Sequence, residues 1–106
     1  MSDDLVSVVI PVWNGARFLD ATLASVFEQD YRPIEVIVVD DGSTDETPAV
    51  LARWPEVIVV RQANAGVAVA RNTGIGRSRG AFVALQDADD LWAPDKLSLQ
   101  IAHLAA

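Results

Sequence analysis

Residues Leu5–Val12 (LVSVVIPV) form a short, β-branched run with apolar side chains at odd and even positions alike. That is the pattern of a strand buried on both faces in a parallel sheet. Beyond Asn14 and Gly15 the period changes, and Phe18, Leu19, Thr22, Leu23, Val26 and Phe27 recur at intervals of three and four along one face of a first helix. Tyr31, Arg32 and Pro33 interrupt it. Ile34–Val39 (IEVIVV) then restores the strand pattern until Asp40, Asp41 and Gly42 break it. Ser43 and Glu46 have capping-box spacing, but that start would set Pro48 where its missing N–H and its ring disrupt the first intrahelical bonds. The second helix is therefore expected from Thr44 or Asp45 to about Trp54. Val57–Val60 (VIVV) is a third strand, and Ala65–Arg77 a third, weakly amphipathic helix, with Gly80 expected as its left-handed C-terminal cap. Ala81–Leu85 is a fourth strand ended by Gln86 and Asp87. Pro94 suits the first turn of a last helix that carries Leu97, Ile101 and Leu104.

Strands alternating with helices predict an α/β fold: a mainly parallel, Rossmann-like sheet of about four strands with about four helices on both faces. Binding then belongs at the carboxyl ends of the strands. The pattern closes on a helix with no strand after it, so residues 1–106 read as a single domain that is part of a longer protein.

Composition narrows the function. With 51% hydrophobic and 22% charged residues the chain should fold. A net charge of -7 repels phosphate backbones and anionic lipid headgroups, which disfavours nucleic acid and membrane surfaces as partners. The absence of cysteine excludes a disulfide framework, a thiolate zinc site and a cysteine nucleophile; it fits a reducing compartment, with the cytoplasm as the default. The start Met1, Ser2, Asp3, Asp4 and an apolar run ending at Val12 lack the basic opening and length of a signal peptide, and no stretch approaches the ~20 residues of a membrane-spanning helix. The longer protein retains the option of associating with the cytoplasmic face of a membrane.

Eight of the 15 acidic residues fall in two stretches: Asp40, Asp41, Asp45 and Glu46 after the second strand, and Asp87, Asp89, Asp90 and Asp95 after the fourth. Gathered like charges destabilise a fold unless a cation or donor compensates them. Oxygen ligands without cysteine favour a hard ion, Mg²⁺ or Mn²⁺, which typically binds one or two carboxylates plus substrate phosphates. Taken on the residues alone, the two clusters are expected to converge on one cation. An acidic loop residue more often faces solvent or caps a helix, as Asp45 and Asp95 are expected to do. Two clusters at equivalent strand ends, one with three aspartates in four residues, tip the balance towards function. The glycines of GIGRSRG have the wrong spacing and place for a dinucleotide fingerprint, and no P-loop pattern occurs, so metal must carry more of the phosphate charge. Trp13 is either a base-stacking ring or a packing residue. Trp54 and Trp92 read as packing residues, the second anchoring the turn after the aspartates. Arg71 and Asn72 either reach the aspartate loop or a diphosphate, or only pair locally. His103 receives no role.

Four consecutive segments, VSVVIPVWNGARFLDATLASVFEQ, IEVIVVDDGSTDET, NAGVAVARNTGI and ALQDADDLWAPDKL, resemble in order and spacing the front half of family 2 glycosyltransferases with the GT-A fold. The resemblance implies a nucleotide-sugar donor, most often a UDP-sugar, whose diphosphate Mg²⁺ or Mn²⁺ bridges to a D-x-D motif. Position by position it implies that Pro11, Val12 and Trp13 line the base pocket, that Asp41 meets the base and that Asp40 lies beside it. Asp87 opens the motif on the donor side, Asp89 faces ribose and diphosphate, and Asp89 or Asp90 holds the metal. Arg71 matches the arginine of the A-R-N-x-G pattern and steadies the donor. The family inverts the anomeric centre, with a general base well beyond the D-x-D motif. The resemblance thus implies a donor-binding part that transfers little alone, its acceptor (saccharide, lipid or other) unknown, with apolar surface available for self-association. The rival readings are a receiver-type phosphorylation domain around Mg²⁺ and a non-catalytic nucleotide-binding or assembly fragment.

Overall fold

β1 (Val6–Val12) is buried at every position, and it pairs in parallel with β2 (Ile34–Asp40) on one side and β4 (Phe82–Leu85) on the other. The β1–β4 ladder ends at Val9 opposite Leu85, so Pro11, with no N–H to give, stands where β1 needs no donor on that side. β3 (Ile58–Arg61) pairs in parallel with β2 and completes a four-stranded sheet of order β3-β2-β1-β4. The computed structural model describes residues 4–105; the acidic start at Met1, Ser2 and Asp3 lies outside them. Four helices connect and close the sheet: α1 (Ala16–Phe27), α2 (Thr47–Leu51), α3 (Val67–Arg77) and α4 (Lys96–Ala105). The expected α/β sheet is therefore present and wholly parallel. Its order also disposes of the receiver reading, because flavodoxin-like receiver domains place β1 between β2 and β3.

The two faces of the sheet are filled differently. Val6, Val8, Ile10 and Val12 pack with Val36 and Val38 against Leu19, Leu23 and Val26 of α1 and Leu97 and Ile101 of α4. Each such fully buried aliphatic side chain contributes roughly 1.5–3 kcal/mol. The opposite face has only α3, whose Ala70 sits on Ile37 and Val39. Small residues let this helix come close: a Cβ at Gly74 would stand 2.3 Å from Val9 Cγ1. On the same side of β4, Val83 and Leu85 stay exposed, as do Leu99 and Leu104 on α4. Among the described residues no helix is long and apolar enough to cross a membrane.

Three local expectations change. Gly80 is not a left-handed cap, since α3 ends at Ser78 in an extended conformation (φ -75, ψ 146) and Gly80 lacks a positive φ. Gly80 is small for another reason: a Cβ there would lie 2.7 Å from the Leu5 carbonyl oxygen and from Ser7 N and Oγ of β1. α2 begins at Thr47 and ends at Leu51, shorter at both ends than the pattern suggests. Side-chain bonds hold residues 43–46 as a loop, and Pro48 falls in the first turn, where its missing N–H does no harm. α4 begins at Lys96, and Pro94 lies in the preceding turn with its carbonyl accepting from Asp30 N at 2.9 Å.

The packing of α3 makes opposite predictions for two of its glycines. Gly74→Ala should lower stability by about 1–3 kcal/mol, because Val9 is β-branched and enclosed. Gly76→Ala, with nothing within 4 Å of its would-be Cβ, should instead raise stability by up to about 1 kcal/mol through helix propensity. Urea unfolding of both variants checks the pair.

Candidate functional site

The carboxyl ends of β2, β1 and β4 lie side by side on one edge of the sheet, and they carry Asp40–Asp41, Trp13 and Asp87 respectively. Neighbouring strands are spaced about 4.8 Å, so β2 and β4 run about 10 Å apart across the sheet with β1 between them, and their ends are staggered, since β2 reaches Asp40 opposite Val12 while β4 stops at Leu85 opposite Val9. The β1 tip continues the ladder by one bond, Asp41 N donating to Val12 O at 2.8 Å, and then turns at Asn14 (φ 53). Asparagine tolerates this left-handed conformation, and here its side chain uses it. Asn14 Oδ1 accepts from Thr44 N at 2.8 Å and Asp45 N at 3.2 Å, while Asn14 N donates to Ser43 Oγ at 2.9 Å. Asp45 Oδ2 accepts from Ala16 N at 3.2 Å and Asp45 Oδ1 from Thr47 N at 2.9 Å, so its capping role serves both α1 and α2. The loops after β1 and β2 are thereby locked together, and Trp13 is left 57% exposed above them. Of its two readings, the ring is open to solvent and free to stack; Pro11 and Val12, which precede it in β1, are buried.

Asp40 and Asp41 are both buried, and the protein itself satisfies them. Asp40 pairs with Arg61 from the end of β3 and accepts from Ser43 N at 3.0 Å. Asp41 accepts from Gln62 Nε2, Ala65 N and Gly66 N, each at 2.9 Å. Its carboxyl is held below the usual carboxylate range by the Gln62 amide and the two backbone N–H groups, which outweigh the opposing effect of burial. Asp41 thus ties β2 to the start of α3, where a negative charge also meets the helix dipole favourably.

The loop after β4 behaves differently. Asp87 pairs with Arg71 of α3 at 3.0 Å, which confirms that Arg71 reaches the aspartate loop; for Asn72 no such contact is present. Asp90 N closes a turn onto the Asp87 carbonyl at 3.1 Å, and Asp90 Oδ1 accepts from Leu91 N at 3.1 Å. Asp89 is exposed, and its carboxylate has no partner among the described residues. Trp92 is buried beneath this turn, with Lys96 Nζ 5.3 Å from its ring centroid, as an anchor should be. Trp54 stacks on Phe27 at 5.7 Å and is a packing residue; His103 is exposed on α4.

The geometry divides the two acidic clusters. Among the described residues no three His, Cys, Asp or Glu side chains gather closely enough to hold a metal, and β1 separates the clusters. The expectation of one cation shared between them gives way to two separate acidic stations on strands that flank β1. A hard divalent ion fits the β4 side, where Asp89 and the outer oxygen of Asp90 offer carboxylate and leave coordination positions for phosphate and water. Sequence reasoning did not find Asn14, Arg61, Gln62 and the 64–66 backbone as the partners that fix Asp40 and Asp41. Arg61 and Gln62 follow β3 directly, and the parallel register Asp40 to Arg61 is the signal that pairs them.

The Asp41 arrangement is testable by pH. Because its folded pKa is depressed, its contribution is present above the unfolded value near 3.8 and is lost as pH falls through the folded value. Asp41→Asn sets an amide donor against one of the two backbone N–H groups and should cost about 2 kcal/mol at pH 7. The difference from the unsubstituted chain should shrink at pH 3, as urea unfolding at both pH values would read.

Comparison with known proteins identifies the family. The pattern of the family described as Glycosyl transferase family 2 matches residues 7–106. The putative teichuronic acid biosynthesis glycosyltransferase TuaG of Bacillus subtilis is 39% identical over 105 residues, covering 94% of this chain and 42% of that protein. The Escherichia coli UDP-Glc:alpha-D-GlcNAc-diphosphoundecaprenol beta-1,3-glucosyltransferase WfgD is 34% identical over 107 residues, covering 98% of this chain and 42% of its own length. The chain therefore spans less than half of either relative. Among solved structures, the mannosyltransferase PcManGT from Pyrobaculum calidifontis in complex with GDP-Man and Mn²⁺ superposes with a TM-score of 0.88 at 34% identity, over 100% of this chain and 34% of that one. S. aureus TarS 1-349 in complex with UDP gives 0.87 at 29% identity, over 94% and 32%. With the family pattern running from Ser7 in β1 to Ala106, the chain belongs to glycosyl transferase family 2.

Proposed function

We propose that this chain is the donor-binding part of an inverting glycosyltransferase and that it takes a nucleotide-sugar, a UDP-sugar before a GDP-sugar, across the tips of β2, β1 and β4. The observation that carries the reading is the arrangement of the strand tips: the buried Asp41 side and the exposed, unpartnered Asp89 side lie on strands that flank β1, with the exposed Trp13 ring at the β1 tip between them, which suits base, diphosphate and metal better than one shared ion. A relative of the same fold holding GDP-Man and Mn²⁺ supports it.

Each residue has a defined task in this reading. Pro11 and Val12 floor the base pocket, and the exposed Trp13 ring stacks on the base. Asp41 presents its remaining acceptor capacity and the 64–66 loop it holds to the base edge, with Asp40 beside it pinning Arg61. Arg71 orients Asp87 and adds positive charge near the diphosphate. Asp89 and Asp90 hold Mg²⁺ or Mn²⁺, which when bound supplies positive charge for the diphosphate as it leaves the sugar. The acceptor, whether saccharide, lipid or other, and the general base that deprotonates it belong to the remainder of a longer protein, so this chain by itself binds donor and transfers little.

Calorimetric titration with UDP, with and without Mn²⁺, tests the reading. Mn²⁺ should tighten UDP binding, Asp89→Ala should abolish that increment, and Trp13→Ala should weaken UDP with or without metal by about 1–3 kcal/mol of lost stacking. UDP affinity indifferent to both Mn²⁺ and Asp89 would defeat it.

A further inference from the structure

The loop carrying Asp87, Asp89 and Asp90 exposes its side chains, but its backbone is gripped from below. Thr22, fully buried on α1, donates its hydroxyl to the Ala88 carbonyl at 2.5 Å. Ser25 Oγ accepts from Trp92 N at 3.3 Å. Gln29 donates to the Ala93 carbonyl at 2.7 Å and accepts from Leu97 N at 3.0 Å. These three residues follow one another at intervals of three and four, Thr22 and Ser25 on α1 and Gln29 just past its end, so a buried polar stripe runs beneath the loop. From the sheet side, Gln86 Nε2 donates to the Asp90 carbonyl at 2.8 Å.

Gln86 shows why this is more than packing. It is only 3% exposed, and its Oε1 is a buried acceptor with no partner among the described residues. The reverse amide orientation would set that oxygen against the Asp90 carbonyl, so the orphan stays. An unsatisfied buried acceptor costs about 1–3 kcal/mol, and a leucine of similar size would carry no such penalty. What the glutamine alone supplies is a donor that fixes the backbone between the two carboxylates and Trp92. Exposed carboxylates bind an ion well only if their backbone is already in place, and outer hydrogen bonds of this kind are typically worth 10–100-fold in metal affinity.

We propose that Gln86 and Thr22 are positioning residues that hold the Asp87–Asp90 loop in the shape that receives a divalent cation together with a nucleoside diphosphate. The inference rests on the donor-site reading above, and its test separates the two. Mn²⁺ binding to the chain in the presence of UDP is followed by loss of the free-ion electron paramagnetic resonance signal, alongside melting temperature and metal-free UDP affinity. Gln86→Leu should weaken Mn²⁺ about 10-fold or more while the melting temperature changes little, because removal of the orphaned oxygen offsets the hydrogen bond lost at the carbonyl of the exposed Asp90. Thr22→Val should weaken Mn²⁺ likewise, Thr22→Ser should restore it, and metal-free UDP affinity should not change. Should Thr22→Val fail to fold, Gln86→Leu decides alone. Unchanged Mn²⁺ affinity in Gln86→Leu overturns the proposal, as does a loss matched equally in metal-free UDP affinity. If the unsubstituted chain shows no UDP-dependent Mn²⁺ binding, the donor-site reading itself fails.

Discussion

A central strand hydrogen-bonded on both sides has no backbone to offer a ligand until it ends, and everything at this site depends on where β1 ends. Its side chains are buried from Val6 to Val12, its ladder to β4 stops at Val9, and its last bond to β2 is the one Asp41 N makes to Val12 O. Beyond that point the chain must turn over the sheet edge. Asn14 makes the turn in the left-handed region, and the bonds it makes there fix the β2 loop at the same time. The positions of Trp13, Asp40 and Asp41 follow from one strand terminus and one asparagine.

A chain with net charge -7 has to manage its carboxylates, and the two strand tips do so in different ways. On the β2 side, Asp40 and Asp41 are buried and engaged by Arg61, Ser43, Gln62 and the start of α3, so they act as structural anchors with limited capacity left. On the β4 side, Asp87 is paired with Arg71 while Asp89 remains exposed and unpartnered among the described residues. Charge that the protein neutralises cannot also bind a cation strongly; charge it leaves bare can. This asymmetry is the reason the β4 loop, and not the β2 loop, is the side proposed to receive the metal.

Beneath that loop, α1 and the residue just past its cap spend buried polar groups on backbone carbonyls and amides that would otherwise be free to move. Thr22, Ser25 and Gln29 occupy positions where an apolar residue would bury more hydrophobic area. Their presence turns a loop of mutually repelling aspartates into one shape, since satisfied buried hydrogen bonds fix geometry more narrowly than apolar contact does.

The parallel α/β sheet was legible in the sequence, because runs such as LVSVVIPV and IEVIVV can be satisfied only by burial on both faces, and periods of three and four identify α1 and α4. The position of the acidic loop at the end of β4 was legible too, since the strand pattern stops at Gln86 and Asp87. Gly80 was misread: its local setting after a helix fits a cap, and only the approach of β1 reveals that its missing Cβ makes room for Leu5 and Ser7. The sequence by itself thus determined which strands exist, how they alternate with helices, and which of their ends carry charge. Tertiary structure alone decided that β1 lies between the acidic tips, that Arg61 and Gln62 consume one cluster, and that Thr22 grips the backbone of the other, because hydrogen bonds between residues 21 to 66 positions apart are set by register and packing, which no local pattern encodes.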